Sequence, residues 1–283
     1  MPSRSPKHIT TTMAFSLSFE QLANAFNPRQ LTSTLGAHPA AVLSTLGVAI
    51  ALPFVISDYR LFISYGPNGV PSNVVGWLFV TFTRLLAREQ RSPAPYDDKA
   101  LPFANEPGYL PTDFPRPRGS KRPTLGPHPA PQRQLDQLPG DDMRQRLIKR
   151  FAELGHKAEQ KGLVEIRQSL YERQHKALFV SKTRDWHALA HQTRGEISHV
   201  HAGGDGTIHV VLHPADCKKL LERGWSQRHA WSGVGAIKLL VGATLPLNYV
   251  LVYAPRNEAE LDIAMGIVTA AIQFMTGTRE PLE

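Results

Sequence analysis

The sequence of 283 residues contains a single cysteine, Cys217. One cysteine excludes an internal disulfide framework and a cysteine-rich zinc module. Acidic residues are also few, since 24 Asp and Glu stand against 32 Lys and Arg and give a net charge of +8. The basic residues are dispersed and form no basic and aromatic platform, so we expect no nucleic-acid partner. With 42% hydrophobic and 20% charged residues, the chain is not a disordered polyelectrolyte as a whole.

Charge is absent altogether between Gln30 and Ser57, and the apolar part of this stretch, Ala40–Ile56, reads AAVLSTLGVAIALPFVI. A membrane-spanning helix needs about 20 predominantly apolar residues, which this run reaches with its neighbours. A secretory signal and a buried soluble helix are the alternatives, but no A-x-A exit follows the run. We therefore predict a polar tail over residues 1–34 and a transmembrane anchor over residues 35–57. The expected location is a single pass through the endoplasmic reticulum or another endomembrane, in contact with membrane lipid.

Two further segments precede the globular part of the chain. Residues 58–92 form a juxtamembrane segment whose apolar run, Val74–Thr83, fits either a helix lying in the membrane interface or an ordinary core helix. Residues 93–140 hold twelve of the 23 prolines and cannot form a long helix or a central strand. We expect them to be a linker or a strap laid over a domain, either solvated or touching anionic lipid through their basic residues.

The pattern becomes globular from Asp141, which fits a helix cap before apolar residues at helical spacing. A second helix begins at Pro214, and a long terminal helix follows a capping box of Asn257 and Glu260. Strand patterns occur at residues 163–166, 177–181, 196–201, 206–213 and 249–253. Neighbouring strands mixed with helices predict an α+β domain with a largely antiparallel sheet over residues 141–283.

Histidines are concentrated in this domain, because eight of the twelve lie between His175 and His229. Side chains alternate along a strand, so His199 and His201 point to one face of the third strand. The five residues after His201, AGGDG, suit a hairpin loop. A symmetric hairpin opposes His199 to His209 and leaves Val200 on the apolar face. The sequence therefore predicts a cluster of His199, His201 and His209.

Three interpretations of this cluster remain open at the level of the sequence. The histidines could lie on a hydrated sheet face without a function. Three neutral imidazoles on adjacent strands also suit Zn²⁺ or Fe²⁺, although the neighbouring acids Glu196 and Asp205 do not complete a familiar ligand set. A site for acid–base chemistry without a metal is favoured, because histidine titrates where a weakly acidic substrate must lose a proton.

The segment GWSQRH, residues 224–229, follows the second helix and gathers an aromatic ring, an amide, a guanidinium and an imidazole. Such groups bind planar anions that are rich in oxygen, by stacking and by charge-assisted hydrogen bonds. Tyr253, Arg256 and Glu258, at and after the end of the last strand, repeat this composition. Arg256 and Glu258 could instead form only an ion pair at the start of the following helix. The predicted binding residues are Trp225, Gln227, Arg228, His229, Tyr253, Arg256 and Glu258.

The strings EISHVHAGGDGTIHVVL, GWSQRH and VYAPRNEAE, in this order and before a long terminal helix, resemble the fungal luciferase family. The resemblance covers roughly residues 41–96 and 141–277 and includes the N-terminal anchor. The Pro-rich segment, which lies between these two ranges, matches poorly. Residues 232–247, which lie inside the second range, also match poorly.

The resemblance implies a membrane-bound oxygenase that adds O₂ to 3-hydroxyhispidin, a hydroxy-α-pyrone, and releases CO₂ through an endoperoxide. It implies O₂ as a co-substrate and no metal or flavin cofactor. The expected catalytic residues are His199, His209, Arg228 and His229, with His199 or His209 as the base and Arg228 stabilising negative charge. The substrate, a hydroxypyrone or a phenolic polyketide, would contact His201, Trp225, Gln227, Tyr253, Arg256 and Glu258. Light emission and the oligomeric state stay open.

Two other classes of function compete with this one. A metal-dependent enzyme would use His199, His201 and His209 as ligands. A membrane-tethered protein that binds a small molecule without turnover would keep the pocket and lack the chemistry.

Overall fold

The computed structural model describes residues 37–117, 119, 121–241 and 245–282. These residues form two compact units that divide after Asp58. The predicted polar tail, residues 1–34, lies outside the described residues.

In the described residues, the first unit is the greater part of one apolar helix, α1 (Pro39–Ser64), whose last six residues belong to the second unit. Its most apolar stretch of 18 residues has a mean hydropathy of 2.2, and none of these residues is buried in the protein. Large side chains such as Phe54 and Ile50 are exposed. The helix is therefore long and apolar enough to cross a membrane, as the sequence predicted for this stretch.

The second unit is built on a six-stranded sheet with strand order β1-β2-β3-β4-β6-β5, in which every neighbouring pair is antiparallel. The strands are β1 (Val164–Gln168), β2 (Lys176–Val180), β3 (Glu196–Val200), β4 (Ile208–Val211), β5 (Ser226–Arg228) and β6 (Tyr249–Val252). All five predicted strand segments appear within two residues at each end, and the fourth of them, residues 206–213, has a shorter paired core. The edge strand β5 is one that the sequence did not predict.

Helices surround this sheet. In the described part of the chain they are α2 (Val74–Thr83), α3 (Asp141–Gln160), α4 (Ala188–Gln192), α5 (Pro214–Glu222), α6 (Ile237–Val241) and α7 (Glu258–Thr276). Asn257 caps α7 by accepting a hydrogen bond from the Glu260 N–H at 3.0 Å, as predicted. The predicted cap at Asp141 is wrong by one position, because Gly140 precedes α3 and Asp141 is its first helical residue.

The core lies between one face of the sheet and the helices. Val200, Ile208 and Val210 are fully or almost fully buried in one cluster with Val268 and Ile272 of α7. Alternation along β3 and β4 then turns the histidines to the other face. The predicted α+β class with an antiparallel sheet is thus confirmed.

The Pro-rich segment is a strap packed on the second unit. Asp216 of α5 accepts hydrogen bonds from the backbone N–H groups of Tyr109 at 2.7 Å and Leu110 at 3.1 Å. Further along, Leu125 pairs with Gln134, and residues 131–134 are buried. The compact unit therefore begins at Tyr59, well before the domain start predicted at residue 141.

Candidate active site

Four histidines line one cavity of about 190 Å³ on the face of the sheet that α7 does not cover. They are His199 of β3, His201 after it, His209 of β4 and His229 after β5. All four are buried, with exposures between 1% and 7%. The structure thus brings together every histidine that the sequence placed in the site.

The strand register creates this cluster. His199 pairs directly with His209, as the symmetric hairpin predicted, and their ring centroids are 5.2 Å apart. The ring of His201 lies 5.0 Å from that of His209, which also lies 5.6 Å from the ring of His229. Tyr249 of β6 stacks on His209 with centroids 4.7 Å apart and planes at 13°. His209 is therefore the centre of an aromatic array.

Carboxylates orient two of the imidazoles. The Nδ1–H of His199 donates to Glu196 Oε1 at 2.7 Å, and Glu196 also accepts from the Ser169 hydroxyl at 2.8 Å and the Leu170 N–H at 2.7 Å. His201 Nδ1 lies 2.8 Å from the Thr207 hydroxyl, which itself donates to Asp205 Oδ1 at 2.8 Å, and 3.3 Å from that carboxylate oxygen. An ionised carboxylate only accepts hydrogen bonds, so the proton sits on Nδ1 and leaves Nε2 as a free lone pair. The Glu196–His199 pair has the composition of a general base with its orienting acid.

Burial keeps His201, His209 and His229 neutral. Burial lowers the pKa of His201 well below its usual range, and the charge of Arg133 lowers it further. Burial and the neighbouring imidazoles, His201 first, have the same effect on the pKa of His209. Burial lowers the pKa of His229 to about 3. Nδ1 of His229 accepts from the Trp231 N–H at 3.1 Å, so the proton of His229 is on Nε2.

Arg133 of the strap supplies a positive charge to the same cavity, and sequence reasoning missed it. Its side chain is 5% exposed, and its guanidinium lies 3.7 Å from the carboxylate of Glu172. Burial lowers the pKa of Arg133, while the charges of Asp205 and Glu172 oppose that shift. Within the described residues its Nε is buried and has no hydrogen-bond partner, so the guanidinium acts on the cavity it lines through its charge.

Apolar and aromatic side chains form much of the remaining wall, beside the polar residues Asn68, Gln132, Glu172, Arg173 and Arg194. Tyr171, Trp231 and Tyr249 contribute rings, and burial raises the pKa of both tyrosine hydroxyls, which are therefore neutral. The larger aliphatic residues of this wall are Val70, Leu170, Ile237 and Leu245. A cavity with a few converging polar groups on an apolar wall suits a small planar ligand.

The other predicted binding residues do not reach this cavity. Trp225, Tyr253 and Arg256 line a separate cavity of about 540 Å³ with basic residues of the strap. Gln227 is in the lining of neither cavity; it accepts from the Tyr253 hydroxyl at 3.1 Å and donates to Gln90 at 2.7 Å. The structure therefore divides the predicted binding set into two groups.

Arg228 and Glu258 are also outside the histidine cavity. Gln227 and His209 both pair with Leu251 and share a face, so the next residue of β5, Arg228, points to the opposite face. There its guanidinium meets Glu89 at 3.1 Å. Glu258 is exposed and pairs with an arginine of α3, while Arg256 is held by the Glu260 carboxylate, so each residue forms an ion pair with a partner that the sequence did not indicate.

The cluster also has the composition of a metal site. One ring nitrogen from each of His199, His201 and His209 lies within 4.8 Å of the others. Metal-binding histidines usually donate their second N–H to a carboxylate, as His199 and His201 do here. The residues present therefore fit a divalent ion, and the same geometry also fits proton transfer without one.

Comparison with known proteins gives a consistent picture. The Luciferase domain model matches residues 194–271, which contain all four histidines. A luciferase of Armillaria gallica is 33% identical over 247 residues, which cover 84% of this chain and 88% of that protein. A luciferase of Neonothopanus nambi is 30% identical over 272 residues, or 93% of this chain and 94% of that protein. A luciferase of Armillaria ostoyae is 33% identical over 236 residues, or 81% and 84%. No solved structure matches the chain.

Proposed function

Because the chain belongs to the fungal luciferase family, we propose that it is an oxygenase that adds O₂ to 3-hydroxyhispidin or a related hydroxypyrone. The observation that carries this proposal is the buried cavity in which a carboxylate-oriented histidine faces neutral imidazoles and one buried arginine. Such a site can remove an acidic proton and hold the resulting anion away from water. The proposed reaction uses no cofactor besides O₂, since the deprotonated substrate itself supplies the electrons.

The first step is proton transfer to His199. Nε2 of His199 takes the proton of the acidic enol hydroxyl, which leaves an enolate on the pyrone and an imidazolium on His199. Glu196 accepts the hydrogen bond from Nδ1 and stabilises that positive charge, while Ser169 and the Leu170 N–H hold the carboxylate in place. His199 is favoured over His209 as the base, because no carboxylate contacts His209 in the described part of the chain.

The later steps move negative charge toward Arg133. The enolate carbon forms a bond to O₂, the charge passes to the distal oxygen, and the peroxide closes onto the pyrone carbonyl before CO₂ leaves. Arg133 takes the role that the sequence gave to Arg228, because the buried Arg133 lines the cavity and Arg228 does not. A buried guanidinium acts strongly on such charge in a site that excludes water.

Oxygen uptake tests the proposal. Membranes carrying the full chain are incubated with 3-hydroxyhispidin while O₂ and photons are recorded. We expect consumption of O₂ that falls by about 10²-fold or more in His199→Gln, while Glu258→Gln, on the surface, keeps the full rate. Ligand binding without any O₂ consumption, by this or related pyrones, would instead indicate a membrane-tethered binding protein and overturn the oxygenase.

The proposed location is an endomembrane such as the endoplasmic reticulum, with α1 as a single-pass anchor in membrane lipid. The exposure of the whole apolar window of α1 supports it. We expect the full chain to stay in the membrane pellet after an alkaline carbonate wash, which releases peripheral proteins. Recovery in the supernatant would contradict the anchor.

A metal-dependent enzyme is the second candidate, favoured by the three imidazole nitrogens within 4.8 Å of one another. Here His199, His201 and His209 would hold a divalent ion instead of accepting a proton. Elemental analysis of the purified full chain separates the two. Near one equivalent of Zn or Fe per chain, lost in His201→Ala, supports the metal enzyme, and less than about 0.1 equivalent removes it.

A further inference from the structure

α2 and the 3₁₀ turn that follows it, Arg84–Leu86, have an exposed apolar surface. Side chains at helical spacing are exposed, up to 86% at Leu85, while Val80 and Thr83 face inward and are buried. No charged residue occurs between Val74 and Thr83. The exposed positions, which we call the α2 face, are Val74, Val75, Leu78, Phe82 and Leu85. Every exposed residue of α2 itself is therefore apolar.

A second exposed pair lies on α6. Leu239 is 89% exposed and Leu240 is 53% exposed, although Ile237 of the same short helix is buried against the histidine cavity. A soluble surface seldom leaves such large side chains together in water. The α2 face and this pair are the main groups of exposed large apolar residues in the described part of the second unit.

α2 and α6 also support the apolar wall of the histidine cavity. Trp231, which lines it, packs its ring on Phe79 of α2 with centroids 6.1 Å apart, and its Nε1–H donates to the Thr83 carbonyl at 3.3 Å. Val70, just before α2, and Ile237, in α6, line the same cavity. The apolar wall of the site and the exposed apolar surface are thus two sides of the same elements.

We propose that the α2 face and the Leu239–Leu240 pair lie in the boundary between headgroups and acyl chains of a lipid bilayer, and that a substrate dissolved in the bilayer enters the histidine cavity beside them. The second half rests on the proposed function, whereas the first half does not.

The chain itself favours a bilayer as the occupant of this surface. α1 ends at Ser64 and α2 begins at Val74, so the link between them spans at most about 35 Å when fully extended. If the exposed apolar α1 is in a membrane, α2 cannot leave its neighbourhood. Exposed basic side chains at Arg60, Arg88 and Lys238 suit anionic headgroups. A protein partner would need polar groups for hydrogen bonds among the exposed positions, and α2 exposes none.

Depth-dependent quenching tests membrane contact without any need for activity. The native Cys217 is fully buried, so a single cysteine placed at Leu78 or Phe82 carries a fluorescent label selectively. The full chain is reconstituted in vesicles that contain nitroxide-labelled lipid. We expect at least about twofold quenching at both positions and none at a label on the exposed Glu153 of α3. Quenching no stronger than at Glu153, or cross-linking of the Leu78 label to a second copy, overturns the proposal.

Substrate entry has a separate test. The double variant Leu78→Asp with Phe82→Asp should raise the KM for a pyrone supplied in vesicles by about tenfold and leave kcat unchanged, while Lys149→Asp on α3 changes neither. An unchanged KM in the double variant refutes entry from the bilayer. If the unmodified chain consumes no O₂ at all, the proposed function fails, and the quenching result still decides membrane contact.

Discussion

Arg133 lines the cavity of the four histidines with a side chain that is 5% exposed. A guanidinium in that position should matter for the chemistry, because its effect is strong where water is excluded. Arg228, by contrast, neutralises Glu89 on the other face of the sheet.

We predict that Arg133→Gln lowers kcat by about 10²-fold or more, while Arg228→Gln lowers it by less than about tenfold. Oxygen uptake and thermal unfolding are measured on both full-length variants, so that a loss of fold is separated from a loss of turnover. An equal loss in the two variants, with both folded, would return the anion-stabilising role to Arg228.

The Glu196 carboxylate gives a second prediction at the scale of single residues. Glu196→Gln keeps an acceptor for the Nδ1–H of His199 but removes the charge that stabilises the imidazolium, so kcat should fall by about 10²-fold. Thr193→Ser, at a buried position nearby in sequence, serves as a control that keeps the rate. Full activity in Glu196→Gln would show that His199 is not the base.

At the scale of elements, local patterns account for what the sequence predicted correctly. The alternation of His199, Val200 and His201 and the glycine-rich loop defined the hairpin register, which set the histidine cluster. The three-residue strand β5 is too short for a periodic signal, so the orientation of Arg228 did not follow from the sequence. The strap has no periodicity either, and for that reason its buried Arg133 was not expected in the site.

The docking of the strap on α5 leads to a prediction about Gly108. A Cβ at this position would lie 2.2 Å from an Asp216 carboxylate oxygen, the acceptor for two strap N–H groups. Gly108→Ala should therefore lower the free energy of unfolding by about 2 kcal/mol and expose the strap to protease. Gly266→Ala, on the exposed side of α7 with nothing within 4 Å of the new Cβ, should raise it by about 0.5 kcal/mol. Urea unfolding and limited proteolysis compare the two variants. Unchanged stability and unchanged protease sensitivity of the strap in Gly108→Ala would contradict this contact.

Hydropathy alone reads the second unit incorrectly. α7 has a mean hydropathy of 1.3 over its best window and passes the length test for a membrane span, yet 67% of that window is buried in the protein. Its apolar residues pack against the sheet instead of lipid. Composition identifies α7 as an apolar helix. Only the fold shows that the sheet covers its apolar side.

At the scale of the whole molecule, the buried histidines should make the fold sensitive to acid. An unfolded histidine has a pKa of about 6.5, whereas that of His229 in the fold is about 3. The unfolded chain therefore binds more protons between these values, so stability is complete above about pH 6.5 and is lost as the pH falls toward about 3. The pKa values of His201 and His209 are lowered in the same direction and add to the effect.

Thermal unfolding of the full chain in detergent, followed between about pH 7.5 and about pH 5, measures this loss. Each such histidine contributes up to about 1.4 kcal/mol per pH unit. His229→Gln should flatten the dependence, while the exposed His156→Gln should leave it unchanged. A midpoint independent of pH in the unmodified chain would contradict the neutral, buried state of the cluster.

The position of Arg133 in the strap bears on how a functional module of this family is delimited. Residues 194–271, the range matched by the Luciferase domain model, hold the four histidines, but Arg133 and Glu172 lie before that range. An expression clone or a genome survey cut to the matched range would thus keep the histidines and lose the cation beside them. A clone that begins at Tyr59, where the compact unit starts, keeps the histidines together with Arg133 and Glu172.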